Sequence, residues 1–385
     1  MNSAQHPVTE LADSKAHGEA LQPHAYNMPE LLGQEIEEFF LKNWQFAGHA
    51  NDIPNSGDYL NFEMSNNSVI VVRGEDQRVR AFENVCRHRA SRLLEGESGH
   101  CNKVIQCPYH GWAYNLDGGL RGVPSMDSFP PLDKPSMGLR EVGLENLHGL
   151  LFVKIIESPG LGVGESFGDS IDYVRAYDLE NYHRVADPID QIWNANWKVA
   201  WDNYQENYHI PVGHPGLNRM LDAAEDERSF SSGVSYSLFP LSKERSPNPL
   251  EARYQELAHV AEHRVPEKFR GHWFQVGYPN NLGMDFYPEM LDLFQVIPLA
   301  VDKTLIRASF YGPIDCSPEE LELRKINIEI NTLVNDEDKT LCERVQKGLQ
   351  QQNYTPGPLS LNESAVAFFH DSIRAKIPGA RAIEP

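Results

Sequence analysis

Cysteine is scarce in this chain, with five residues in 385, at positions 86, 101, 107, 316 and 342. So thin and odd-numbered a set excludes a disulfide framework and leaves metal binding as the better use of the thiols. Long apolar runs are missing too. No stretch approaches the ~20 residues that span a bilayer, and a composition of 41% hydrophobic and 23% charged residues is that of a globular protein rather than a membrane one. Basic residues are in deficit. With 34 Lys and Arg against 55 Asp and Glu, the formal charge of −21 argues against nucleic acid or an anionic lipid surface as the main partner. The first thirty residues lack the basic start, apolar middle and cleavage site of a secretory signal, so a cytoplasmic location is expected.

At 385 residues the chain exceeds what one core usually supports, and two domains are expected. Residues 28–47 place Leu31, Leu32, Ile36, Phe39, Phe40 and Trp44 at helical spacing. From about 59 to 156 short β-branched or alternating runs (68–73, 79–82, 103–106, 149–154) alternate with turn residues, which predicts an all-β module. A Pro/Gly-rich linker at 157–164 closes it. Beyond, a helix is predicted through 190–208, then strands near 233–241, 272–276, 293–297 and 304–311, and a helical C-terminal third. The fold class is therefore α+β, with an antiparallel sheet flanked by helices in the second domain.

Inside the β module two mixed hooks, Cys86-x-His88 and Cys107-Pro-Tyr-His110-Gly-Trp, stand eighteen residues apart. Zinc hooks usually keep two or more residues between ligands, so Cys86-x-His88 is tight for zinc. Two Cys and two His instead fit a Rieske [2Fe-2S] centre, with thiolates on one iron and imidazoles on the other. Cys101 belongs to neither hook and reads as a small buried residue. Arg87, Arg89 and Arg92 surround His88, either as a landing site for an acidic redox protein or as ion-pair partners that hold loops together.

The second half supplies another metal set. His209 and His214 follow a helical run that Pro211 should interrupt, and the resulting turn would swing the two imidazoles together. Two imidazoles and one carboxylate make the facial triad of non-haem iron(II) oxygenases. The segment 334–349 offers Asp336, Glu337 and Asp338. On a helix Asp338 shares a face with Val334, Leu341, Cys342 and Val345, where a carboxylate needs a cation, so Asp338 is preferred and Asp336 held in reserve. Ser317-Pro-Glu-Glu320 reads as the capped start of that helix. Trp193, Trp197 and Trp201 are read as a buried helix stripe, and Phe274, Tyr278, Phe286 and Phe294 as core.

The motifs C-x-H and C-P-Y-H-G-W-x-Y, then N-W-K, Glu206-x-Tyr-His209-x4-His214 and Asp338-x3-Cys-Glu, resemble the Rieske non-haem iron oxygenases. The resemblance implies an all-β Rieske domain at 46–160 and a helix-grip-like catalytic domain at 165–385, to which an N-terminal helical segment at 1–45 also belongs. It implies a [2Fe-2S] cluster on Cys86, His88, Cys107 and His110, and mononuclear Fe(II) on His209, His214 and Asp338. Glu206 occupies the position of the carboxylate that bridges the cluster of one subunit to the iron of its neighbour. Glu rather than Asp there is similar to the choline, glycine betaine and carnitine monooxygenase branch. The implied enzyme uses O2 and electrons from a flavin and iron-sulfur reductase, with or without a ferredoxin. It would hydroxylate or oxidatively N-dealkylate a small N-alkyl compound or xenobiotic, as a homotrimer or a dimer of trimers. An aromatic-ring dioxygenase, or a Rieske electron carrier without oxygenase chemistry, is the alternative.

Overall fold

The computed structural model describes residues 18–222, 227–231, 233–279 and 281–381, so the first seventeen residues of the expected N-terminal segment lie outside it. Ten short strands build the β module: β1 (Gln45–His49), β2 (Asp58–Met64), β3 (Asn67–Arg73), β4 (Val79–Glu83), β5 (Ser98–His100), β6 (Val104–Gln106), β7 (Ala113–Asn115), β8 (Leu120–Gly122), β9 (Gly143–Leu147) and β10 (Leu150–Lys154). They pair antiparallel in the orders β1-β10-β9, β4-β3-β2-β5 and β6-β7-β8. The unbroken apolar run Val69–Val72 in β3 follows from burial on both faces. Val69 and Val71 join a core with Phe39, Phe40 and Trp197, whereas Ile70 and Val72 join one with Phe82, Trp112 and Tyr114.

Eight more strands follow: β11 (His183–Arg184), β12 (Ile189–Trp193), β13 (Glu227–Ser231), β14 (Val234–Pro240), β15 (His272–Tyr278), β16 (Leu282–Tyr287), β17 (Met290–Ala300) and β18 (Lys303–Gly312). They form one antiparallel sheet, β11-β18-β17-β16-β15-β14-β13, with β12 also paired to β18. The helix Trp197–Tyr204 packs on β17, β18 and the 32-residue helix Pro318–Leu349. Ser317 caps the latter: its Oγ accepts from the Glu320 backbone N–H, and Glu320 accepts from that of Ser317 at 2.7 Å. The classes are therefore as expected: a β module followed by a domain of helices around an antiparallel sheet, α+β as a whole.

Two helices are shorter than their periodicity suggests. The N-terminal one runs Pro29–Glu35 and widens into a π-helix at Ile36–Leu41, then stops, because Gln45 onward pairs with β10 and Phe46 stacks edge-on to Phe152. Residues 189–193 are strand β12, and Asn196 starts the next helix by accepting from the Lys198 N–H at 3.0 Å. Trp193 is thus on a strand while Trp197 and Trp201 are helical, and all three are buried. Their i, i+4, i+8 spacing spans a strand, a cap and a helix.

A buried ion pair fixes this arrangement. Glu35 accepts from Lys198 Nζ at 2.6 Å and from Trp197 Nε1 at 2.7 Å, with both charged side chains at most 1% exposed. Burial drives the Lys198 pKa down, opposed by the attraction of Glu35. Lys198→Met alone strands the Glu35 charge and should destabilise the fold by about 3–5 kcal/mol. The double variant Lys198→Met/Glu35→Gln keeps the Trp197 partner and should cost less than the single one, as read from urea-unfolding midpoints.

Candidate metal centres and the adjoining cavity

The two Cys/His hooks fold into loops with the same backbone hydrogen bonds. Cys86 N–H donates to Ser91 O (2.8 Å) and Ala90 N–H to Cys86 O (3.1 Å), just as Cys107 N–H donates to Trp112 O (2.8 Å) and Gly111 N–H to Cys107 O (3.1 Å). Each loop turns through a left-handed residue, Ala90 at φ 57° and Gly111 at φ 71°. The loops bring the Cys86 and Cys107 thiols within hydrogen-bonding range and the His88 and His110 rings to 4.6 Å between centroids. His88 stacks on Trp112 at 4.9 Å with a 4° interplanar angle, which sets its orientation. Burial opposes charge on Cys107, but the Tyr109 and His110 backbone hydrogen bonds outweigh it and bring the thiol below its ordinary pKa. His88 Nδ1 is buried without a hydrogen-bond partner. A buried ring nitrogen with no partner, beside two adjoining thiols and a second imidazole, fits a two-iron cluster.

Cys101 is buried in the core of the same domain, its thiol raised to about 11 by burial. Arg92 pairs with Glu63 and Glu95, and Arg87 donates to Gly138 O, so these two hold loops together. Arg89 lies over the exposed Tyr109 ring and faces outward.

In the catalytic domain three acceptor atoms converge. His209 Nε2 and His214 Nε2 stand 3.0 Å apart, and Asp338 Oδ1 is 2.9 Å from His214 Nε2 and 3.5 Å from His209 Nε2. The long helix contributes Asp338, which is buried, whereas Asp336 is exposed and accepts from Gln191 Nε2 at 2.8 Å. Of the apolar face expected around Asp338, Cys342 is buried but Val345 is 50% exposed, and the buried face continues instead through Gln346 and Leu349. The helix before the imidazoles ends at Tyr204, and His209 and His214 flank a new short helix, Ile210–Gly213, with Pro211 in its first turn rather than interrupting an old helix. Proline suits that position because the first N–H groups of a helix have no intrahelical partner.

Neighbouring groups fix the tautomers. Glu206 Oε1 is 2.6 Å from His209 Nδ1, Oε2 accepts from the His209 backbone N–H, and Glu337 Oε2 is 2.8 Å from His214 Nδ1. A carboxylate only accepts, so each Nδ1 carries the proton and each Nε2 lone pair points at the other. Such an arrangement repels unless a cation lies within it. In the protein alone protons serve: burial lowers the His209 pKa, but hydrogen bonds to Asp338 and Glu206 overcome this and raise it to about 9. Separations near 3 Å also match adjacent ligands about 2.1 Å from one divalent ion. Glu337, which the sequence offered only as one of three candidate ligands, and Asn203, whose Nδ2 donates to Asp338 Oδ1 at 3.0 Å, were not given these supporting roles from sequence. Their signals were faint: Glu337 adjoins the expected ligand, and Asn203 lies between Asp202 and the His pair.

A cavity of about 100 Å³ adjoins this set, lined by His209, His214 and Asp338 and by Tyr204, Phe239, Trp273, Asp285, Tyr287, Asp292 and Phe294. Phe294 was expected to be plain core, yet it lines the cavity; Phe286 and Tyr278 pack in the core on the opposite side of the sheet, and Phe274 borders the cavity while packing on Phe269 and Phe286. None of the three tryptophans lines it.

Two family descriptions match the chain: Rieske [2Fe-2S] domain over 43–140 and ring hydroxylating alpha subunit (catalytic domain) over 171–379. It is an oxidoreductase of the Rieske non-haem iron oxygenase class, with a [2Fe-2S] cluster and a mononuclear iron as cofactors. The chain belongs to the ring-hydroxylating alpha-subunit family and is a terminal oxygenase component. It is 28% identical to the glycine betaine monooxygenase oxygenase subunit of Chromohalobacter salexigens, over 93% of this chain and 85% of the relative. It is 29% identical to the carnitine monooxygenase oxygenase subunit of Escherichia coli K12, over 88% of each. The fold matches a quaternary ammonium Rieske monooxygenase in complex with L-carnitine (TM-score 0.77, 21% identity, 94% of this chain and 96% of that one). It also matches naphthalene 1,2-dioxygenase from Rhodococcus sp. (TM-score 0.74, 20% identity, 94% and 95%). The same fold thus carries both chemistries. Among the described residues no helix is long and apolar enough to cross a membrane.

The left-handed turns make the cluster loops sensitive to backbone chemistry. A Cβ at Gly111 meets Pro124 Cγ at 3.3 Å, and its φ of +71° disfavours a β-branched residue. Gly111→Val should cost about 1–2 kcal/mol and lower acid-labile sulfide per chain, whereas Ala90→Gly should leave sulfide and visible absorbance unchanged.

Proposed function

We propose that this chain is the oxygenase of a multicomponent monooxygenase that oxidises a carbon next to nitrogen in a small N-alkyl compound. The observation that carries this is the convergence of His209, His214 and Asp338 on a small, aromatic-lined cavity. The named relatives, monooxygenases of glycine betaine and carnitine, support the substrate class. In the reaction one oxygen atom of O2 enters a C–H bond and the other leaves as water, consuming two electrons and two protons. Where the hydroxylated carbon is bonded to nitrogen, the C–N bond then breaks to an aldehyde and an amine. The electrons come one at a time from a flavin and iron-sulfur reductase, with or without a ferredoxin, in the cytoplasm.

In this reading Cys86, Cys107, His88 and His110 hold the cluster, and His209, His214 and Asp338 hold the iron. The iron supplies O2 activation and the cluster supplies electrons. The chain's own groups orient both: Glu206 and Glu337 keep the His protons on Nδ1, Asn203 steadies Asp338, and the cavity walls hold substrate away from bulk water. Glu206 has a second role as the link from the iron site to the cluster of a neighbouring subunit in a trimer. Exposed Tyr208 (62%) and Val212 (87%) flank His209 and suit a face that another subunit covers.

With a surrogate reductase, N-methyl substrates should release formaldehyde in proportion to substrate lost; cis-diol formation from arenes without aldehyde would reverse the assignment. Asp338→Ala should reduce the metal content from about three irons to about two with two sulfides retained, while Asp336→Ala keeps all three. Glu206→Gln should retain both metals yet slow substrate-coupled oxidation of the cluster about 10- to 100-fold in single turnover. An unchanged rate would remove Glu206 from the electron path.

A further inference from the structure

Strands β16 and β17 pair Asp285 directly opposite Asp292, so both carboxyls leave the sheet on the cavity side. Asp285 accepts from Tyr204 OH at 3.0 Å, and Asp292 Oδ2 accepts from Asn331 Nδ2 at 3.0 Å. Asp292 is 3% exposed and its Oδ1 has no hydrogen-bond partner. Among the described residues lining the cavity none is Lys or Arg, while Tyr204, Trp273, Tyr287 and Phe294 supply aromatic faces. A buried carboxylate oxygen without a partner is costly, and two adjacent acids without a basic residue repel each other. Burial first, then the charge of Asp285, drives the Asp292 pKa well above its usual range, and burial raises Asp285 to about 7. The pair therefore holds protons until a cation replaces them.

We infer that Asp285 and Asp292 select substrate by charge, and that the substrate is an organic cation carrying no carboxylate of its own. The cationic nitrogen lies between the aromatic rings and the two acids, where ring quadrupole and carboxylate attract it together. A zwitterion of the betaine type would bring a third carboxylate into a cavity that offers it no basic partner. This inference rests on the N-alkyl reading of the same site and narrows it, departing from the zwitterions named for two of the relatives.

Calorimetric titration of the metal-replete enzyme tests it with three probes of similar size: choline, its neutral isostere 3,3-dimethylbutan-1-ol, and glycine betaine. Choline should bind at least about tenfold tighter than either of the others. Its binding should release protons near pH 6.5, seen as a dependence of the heat on buffer ionisation enthalpy. Asp292→Asn and Asp285→Asn should each weaken choline about tenfold or more and leave the isostere unchanged; if neither variant folds, the proton release of the unaltered enzyme decides. Glycine betaine binding tighter than choline, choline binding no tighter than its isostere, or binding without proton release would each overturn the inference. Its failure is separable from that of the N-alkyl reading. A betaine preference with aldehyde release retains N-oxidation and rejects charge selection, whereas a choline preference without turnover of any N-alkyl compound retains the selection and rejects the reaction.

Discussion

Three lone-pair-bearing atoms held within 2.9–3.5 Å of one another are the arrangement on which the catalytic domain depends. Left to themselves the groups would rotate apart. Each is pinned from behind: His209 by both oxygens of Glu206, His214 by Glu337, and Asp338 by Asn203. Those pins stand on two elements, the segment after the Trp197–Tyr204 helix and the middle of the Pro318–Leu349 helix. The relative position of the two elements is set where they meet, by Asn196 accepting from Lys198 and donating to Gln346. The Glu35 pair then ties the first helix to the N-terminal segment. Elements far from the iron site are thus part of its geometry.

The cluster loops solve a different problem. Two chain segments with the same backbone hydrogen bonds present thiols side by side, but the His lies two residues after Cys86 and three after Cys107. With matching backbone hydrogen bonds and unequal spacing, the two rings meet edge to face instead of stacking. Both are half-buried: His88 is held flat on the buried Trp112, whereas His110 lies against the exposed Tyr109 at 3.7 Å. The Trp112 stack fixes the orientation of one imidazole, and the Tyr109 ring lies against the other.

How much of this was legible in the sequence follows from range of interaction. The Cys/His hooks are local, and type and spacing reveal them. Asp338 was separable from Asp336 because a 32-residue helix keeps faithful periodicity, although Val345 shows that the buried face is narrower than its apolar content suggests. Helix boundaries near 41 and 193 were misplaced where strand pairing overrode local pattern: Phe46 lies within the 28–47 helical reading and Trp193 has helical spacing, yet both have sheet partners. Glu337 and the Asp285–Asp292 pair left no motif. The carboxyls lie seven residues apart along the chain and become opposite neighbours only through the β16–β17 register. No periodicity in sequence encodes that register for a solitary pair.

Charge connects these observations. Glu206, Glu337, Asp338, Asp285 and Asp292 surround or line one small region, with no Lys or Arg among the described residues lining its cavity. In a folded protein so many acids crowded in low dielectric repel one another and destabilise the compact state, unless positive charge arrives from outside the chain. A divalent iron compensates the acids that hold the two imidazoles, but Asp285 and Asp292 are turned toward the cavity and keep their own demand. The excess is consistent with a site designed to be completed twice, first by a metal ion and then by a substrate cation. The second completion is also what distinguishes this cavity from one that takes a neutral arene, because an uncharged ring would leave Asp292 Oδ1 as unpartnered as it is without substrate.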